Sequence, residues 1–345
     1  MKKTVAIAAF CIHEDECWFF AKEFNCLFYK NIDTEETVIC GSVPWEAVKK
    51  NMLYKEMEYV NNKLYLIPFK ARSIAVYDIA QKTFYKIELD TQIIPPNAKN
   101  YFRAGFVYNQ FIYAFGVHVP TILVIDTVND KIEYLTKWFK EVERFLPNTS
   151  QALFRKQIVV IEKKAYIPMV HANVILSVDL VTNEICVKRL NFKVSGYVGV
   201  TNDRENIYLA AREGQGLIGC WNCISEQERV IGFLNQDGDE INKYLTYGLA
   251  GVEVYYFEHK NSKLSNQFIR NAEFDCDCLL SNGFENAFFC DDGKVELISN
   301  GIKKRLDISI EVSNGDKEKI YQLQDYCRES KWNGIENFME EIIEK

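Results

Sequence analysis

The chain has 345 residues, 48% of them hydrophobic and 14% aromatic, and a formal net charge of −7. That is well past the usual length of one compact domain, a limit that repeat architectures escape because each unit adds its own core layer, and there is ample apolar material to bury. The acidic balance argues against a general binder of nucleic-acid backbone, which needs a basic face, and no stretch is long and apolar enough to span a membrane as a helix.

The chain opens on Met1-Lys2-Lys3 and an apolar run from Thr4 to Ile12, which has the look of a secretory leader. His13-Glu14-Asp15-Glu16 ends that run and no small-x-small cleavage site follows, so the run is read as a first strand. Eleven cysteines, an odd number, are scattered through strand-like segments. A secreted disulfide framework is usually even and placed in loops, so these read as buried reduced thiols of a cytoplasmic protein.

Five segments then repeat one theme, an aromatic residue inside an apolar strand, usually after a tight polar turn. They are Glu16-Cys17-Trp18-Phe19-Phe20, Lys63-Leu64-Tyr65-Leu66-Ile67, Phe111-Ile112-Tyr113-Ala114-Phe115, Lys164-Ala165-Tyr166-Ile167-Pro168 and Asn206-Ile207-Tyr208-Leu209-Ala210. Successive aromatic anchors stand roughly 42–53 residues apart, the period of a propeller blade. Thirteen residues after the anchor come Asn31, Asp78, Asp126 and Asp179, and Asn222 falls one later. A side chain of this type closes a strand and opens a turn by bonding nearby backbone amides, so these residues are read as structural.

Each unit parses into four short strands, most clearly in the second: 56–60, 63–69, 73–79 and 83–89, with polar turns between. A four-strand unit at this period selects an all-β fold, a β-propeller of about six four-stranded blades, seven being possible. The blades fall at about 4–43, 54–90, 101–136, 152–191, 195–235 and 246–310, within a propeller domain of 4–310. The last stretch is irregular. Its 276–310 part makes a complete blade, while 247–270 is too short for one and reads as an insertion, as strands exchanged into the closing blade, or as a degraded seventh blade. From Asp316 to Lys345, Ile320, Leu323, Cys327, Ile335, Phe338 and Ile342 recur at helical spacing, with Asn333-Gly334 as a break, so a short C-terminal helical tail of two amphipathic pieces is expected.

The pattern resembles the Kelch-like and related bacterial β-propellers over about Thr4 to Ile310. No unit carries the Gly-Gly doublet of Kelch repeats, the Trp-Asp ending of WD40 repeats or the Asp-box of sialidases. The resemblance therefore implies a fold and no family activity.

Repeat alignment also locates a candidate site. In propellers of this wiring the second-to-third-strand loops and the inter-blade connections share the face around the channel mouth. Five residues after each anchor stand Glu23, Lys70, His118, His171 and Glu213. Ten or eleven residues before the anchors stand Lys55, Arg103, Arg155 and Tyr197, near the start of the innermost strands. Cations converging beside histidines suit a carboxylate or phosphate, for example of an acidic sugar. A one-residue slip would send any of these side chains to the other face of its strand.

Other chemistry is weaker. Cys220-Trp221-Asn222-Cys223 has a C-x-x-C form but lies in a predicted strand, where residues three apart point to opposite faces. Asn235 to Glu240 lacks the flanking helices and the twelfth-position glutamate of a calcium loop. No metal site, cofactor, serine-nucleophile elbow or glycine-rich phosphate loop is implied. The expected function is a non-catalytic ligand-binding or scaffolding propeller, with a small anionic ligand or a protein as partner and neither nucleic acid nor membrane. The alternatives are a carbohydrate-active enzyme (lyase, hydrolase or sugar epimerase) using the Arg/His ring, and an interaction scaffold docking through its C-terminal helix.

Overall fold

The computed structural model describes residues 2–3, 7–22, 24–47, 52–148, 151–155, 157–202, 205–212 and 217–233, together with strands between 246 and 311. The expected C-terminal helical tail, 316–345, lies outside the described residues.

The protein is an all-β propeller. Six antiparallel four-stranded sheets are built from residues 7–41, 54–88, 102–135, 159–189, 197–233 and 276–307, and each is a simple meander of consecutive strands. The stretch 246–310 holds two sheets. Its first part, Thr246–Leu249, Glu253–Tyr256 and Phe268–Arg270, forms a three-stranded sheet whose last strand runs parallel to its neighbour. Thr246–Leu249 packs on Tyr197–Asn202 of the fifth blade and on Cys276–Ser281 of the last, so the small sheet sits between those two blades. The closing blade takes all four strands from consecutive chain, and Lys2–Lys3 pairs with Ile310–Glu311 just beyond it. The two ends of the propeller are thereby tied together.

Strand alternation explains why the second strands are apolar without a break. In the second blade Leu64 and Leu66 belong to the core shared with the first blade, while Tyr65 and Ile67 belong to the core shared with the third. In the third blade Ile112 and Ala114 face back and Tyr113 and Phe115 face forward. The second, third and fourth blades are thus buried on both faces, and period-two alternation sorts their side chains between two apolar cores rather than between core and water. The anchors Tyr65, Tyr113 and Tyr166 each belong to the core shared with the next blade, and Trp18 packs on Tyr77 of the next blade. The long gap between the third and fourth anchors accommodates the short helix Phe139–Val142, which buries Trp138 and Val142 against Phe154 and its surroundings.

The Asp and Asn marks cap the third-to-fourth-strand turns. Asn31 Oδ1 accepts from the amides of Asp33 (2.9 Å) and Thr34 (2.8 Å), Asp78 Oδ1 from Gln81 (2.8 Å), and Asp126 Oδ1 from Val128 (3.0 Å). Asp179 Oδ1 accepts from Val181 (2.9 Å) and Thr182 (3.0 Å), and Asn222 Oδ1 from Ile224 (3.1 Å) and Ser225 (2.8 Å). The next residue turns inward, and its amide donates to a carbonyl in the first-to-second-strand turn. The pairs are Ile32 to Asp15, Ile79 to Asn62, Thr127 to Gln110, Leu180 to Lys163 and Cys223 to Glu205. Both sets of hairpin turns therefore share one face.

Candidate binding site

The opposite face is organised by a backbone chain of hydrogen bonds at the start of the second-to-third-strand loops. The Phe69 amide donates to Leu53 O (2.7 Å), and Phe69 O accepts from the Tyr101 amide of the next blade (2.8 Å). Tyr101 O accepts from Val117 (2.6 Å), Val117 O from Leu153 (2.7 Å), and Leu153 O from Val170 (3.0 Å). The Tyr197 amide donates to Met169 O and the Arg212 amide to Gly196 O, both at 2.9 Å. Loops and inter-blade connections are thereby held on one face, the face on which repeat alignment puts the candidate residues.

The innermost strands begin with a recurring irregularity. Register shifts by one residue between Ile7 and Ala9, Tyr54 and Glu56, Phe102 and Ala104, Tyr197 and Gly199, and Cys276 and Cys278. Lys55 and Arg103 are the extra residues of two of these bulges. A bulge leaves one residue outside the ladder and re-aims its side chain. Arg155 is exposed and precedes its strand, and the bond from Val170 to Leu153 O makes it the counterpart of Lys55. Tyr197 is not in this series. It aligns with Tyr54 and Phe102, the buried residues one position earlier, because the bulge in its own strand falls at 198. The Lys55 ammonium lies 5.3 Å from the centre of the Phe69 ring, a cation–π contact within its own blade.

Of the loop series, Lys70 is exposed and His118 and His171 are half-buried. Glu23 and Glu213 lie outside the described residues. Burial, and then the charge of Lys99, hold His118 below the usual imidazole range, so it is neutral at pH 7. His171 Nδ1 is in contact with the Arg212 guanidinium.

His171 and Tyr197 both lie at the junction of the fourth and fifth blades, His171 against Arg212 and Tyr197 against Asn173. The Tyr197 hydroxyl donates to Asn173 Oδ1, and the Asn173 amide donates to the carbonyls of Leu190 (2.8 Å) and Phe192. Burial, and then Glu228, raise the Tyr197 phenol well above its usual range, so it stays a donor. Next to this knot opens a cleft of about 860 Å³ lined by Asn173, Arg189, Asn191, Phe192, Lys193 and Ser195 among others. Arg189 also lies 5.3 Å from the Phe145 ring centre. Outside the lining, the Glu228 carboxylate accepts from the Asn191 amide (2.6 Å) and side chain (3.0 Å), which fixes the connection that follows Arg189 and carries Lys193.

Repeat alignment on the anchor and loop positions overlooked Arg189, Lys193 and Asn173. Asn173 had a signal. It stands seven residues after its anchor, as Asn25 does in the first blade, and Asn25 makes the same tie to Val43 O and Glu46 O at 2.9 Å each. Arg189 and Lys193 lie at the end of the fourth strand and in the connection after it, which the repeat does not preserve. Among the described residues no group of three or more metal-ligating side chains stands together.

The architecture and this loop face define a β-propeller, and comparison with solved structures agrees at the level of fold. A computationally designed protein, Ika8, superposes with a TM-score of 0.54 at 10% identity, covering 89% of this chain and 88% of that one. The U3-55K structure gives 0.51 at 9% identity over 88% and 81% of the two chains. The extracellular domain of a putative one-component system from B. thetaiotaomicron gives 0.53 at 11% identity, covering 85% of this chain and 38% of that one. No family model and no curated protein sequence matches the chain. No helix among the described residues is long and apolar enough to cross a membrane.

Proposed function

We propose that the protein is a non-catalytic, ligand-binding propeller of a reducing, cytoplasmic compartment, and that it holds a small anionic group in the cleft between its fourth and fifth blades. The observation that carries this reading is the cleft itself, whose lining contains Arg189 and Lys193 and, among the described residues, no carboxylate. Arginine suits a phosphate or carboxylate because its planar fork offers paired donors, and lysine adds a point charge. The Asn173–Tyr197 knot sets the cleft wall in one geometry before a ligand arrives, which lowers the ordering cost of binding. The unpaired thiols of Cys11, Cys17, Cys26 and Cys220, all buried, support the compartment. The arginines and the histidine at this junction also fit the second reading, an enzyme acting on acidic sugars, which requires in addition an acid–base pair at reacting distance.

The test is a thermal-shift series with inorganic phosphate, sugar phosphates and uronic acids, on the wild type and on Arg189→Ala and Lys193→Ala. A rise in melting temperature for one class, lost in both variants, supports the site. A rise retained in both variants, or no rise with any anion, overturns it.

A further inference from the structure

On the turn face, opposite the cleft, three successive blades expose a branched aliphatic residue at one equivalent position. Val128, Val181 and Ile224 are 64%, 66% and 72% exposed, and each follows the capping Asp126, Asp179 or Asn222 by two residues. The turn does not require them: the first and second blades carry Asp33 and Ala80 at the same place. Nor do they serve a core, because the inward position of each turn is already taken by Thr127, Leu180 and Cys223. Turn tips ordinarily favour Gly, Asn, Asp or Ser, and isolated exposed aliphatics mean little, but three in register on neighbouring blades form a row.

The row is set in negative charge. The same three turns carry Asp126, Asp130, Asp179, Glu184 and Glu226 against Lys131, and Lys188 reaches across to Glu226 at 2.7 Å. The adjoining first turns add Glu162 and Glu205 against Lys163 and Lys164, the latter opposite Asp179 across the ladder, so carboxylates remain in excess. Hydrogen bonds from Asn129 and the Val128 amide hold Asp126 below the usual carboxylate range, and those from the Val181 and Thr182 amides do the same for Asp179, so both are ionised at neutral pH.

From this juxtaposition we infer that the turn face of the third, fourth and fifth blades is a docking surface for a basic amphipathic segment of a partner protein, whose apolar side chains sit on Val128, Val181 and Ile224 and whose lysines or arginines meet the surrounding carboxylates. The charge selects this occupant. An anionic membrane is repelled, and a second copy of this acidic face is repelled too.

The probe is a fluorescein-labelled lysine/leucine amphipathic peptide, with a scrambled isomer and a glutamate/leucine counterpart, titrated against the full chain by anisotropy. Single serine variants at the three positions are joined by the triple variant and by Val230→Ser, an exposed valine on an outer strand. The row predicts binding of the lysine/leucine peptide that weakens with salt and falls by about tenfold or more in the triple variant. Val230→Ser and the melting temperature should be unchanged. The inference is overturned by no binding, by equal binding of the scrambled or acidic peptide, or by equal binding of the triple variant. It is also overturned if sedimentation shows a self-association that the triple variant abolishes, or if the wild type binds zwitterionic vesicles and the triple variant does not.

Discussion

The hydroxyl of Tyr113, on the second strand of the third blade, donates to Oδ1 of Asn183 in the outer turn of the fourth, at 2.8 Å. One blade earlier, the Tyr65 hydroxyl contacts Asp130 Oδ1 at 3.1 Å and Thr127 O at 3.2 Å. Asp130 and Asn183 both end their turns with positive φ, 53° and 59°, a conformation that Asp and Asn tolerate better than most residues. Tyr65 and Tyr113 are therefore latches from one blade to the next. Burial, and then the charge of Glu133, push the Tyr113 phenol up to about 12, so the latch stays protonated at any ordinary pH. Tyr113→Phe should lower stability by about 1 kcal/mol, the net worth of one buried hydrogen bond, with no change in strand content. Tyr65→Phe should cost at least as much. Urea denaturation followed by tryptophan fluorescence measures both, and the double variant should be additive within about 0.5 kcal/mol because the two latches share no partner.

The turn caps give stability a dependence on acid. Asp179 is held low by the amides of Val181 and Thr182, and Asp126 by Asn129 and Val128. A folded-state pKa below the unfolded value contributes stability that is complete above the unfolded value, about 3.9, and is lost as pH falls through the folded one. Asp179→Ala should therefore melt below the wild type at pH 7, and the gap should close as the pH drops below about 4. A gap that stays constant down to the acid limit would mean that the carboxylate charge is not what holds the turn. Melting curves across a pH series read this directly.

The fold was legible because the repeat is enforced by contacts. The anchor must be large and forward-facing to reach the next blade, and the Asp or Asn thirteen residues on must cap a turn, so both recur in the sequence. The bulge at the head of five of the inner strands leaves no residue signature, since Ala8, Lys55, Arg103 and Asp277 share no property, and Tyr197 stands one residue before the bulge of its own strand, eleven residues ahead of its anchor where the bulge stands ten. The three-stranded sheet after the fifth blade lacks the anchor and the cap, which is why 246–310 reads as a single irregular unit. The cleft cations Arg189 and Lys193 stand where blades join, and no repeated contact constrains those positions.

Cysteine reactivity should follow burial. Cys186 is exposed, while Cys11, Cys17, Cys26 and Cys220 are buried. Burial raises the Cys17 thiol to about 12, with Lys30 working against the rise, and it lifts Cys11 and Cys26 as well. A thiol that is both inaccessible and undissociated does not react. Brief maleimide treatment of the native protein followed by peptide mass mapping should modify Cys186 and leave Cys11, Cys17 and Cys26 untouched until denaturant is added. Native labelling of Cys17 at a comparable rate would show that the core of the first blade opens readily.

Gly196 is the position where the blade junction tolerates least. A Cβ there would lie 2.1 Å from the Val170 carbonyl oxygen and 2.8 Å from the His171 amide nitrogen, both backbone atoms that cannot swing aside. Its own carbonyl accepts the Arg212 amide at 2.9 Å, and the next residue is Tyr197. Gly196→Ala must push the fourth-blade loop and the fifth-blade inner strand apart, and should destabilise the protein by more than about 3 kcal/mol, beyond the usual range for a single added methyl. Because the same displacement breaks the Tyr197–Asn173 knot beside the cleft, any anion-induced rise in melting temperature should vanish with it. Gly219→Ala separates the two effects. Its Cβ would meet the Phe192 ring, with Cε2 at 2.6 Å, a side chain that can shift, so that variant should be milder in stability and should disturb ligand response only through the cleft wall that Phe192 forms.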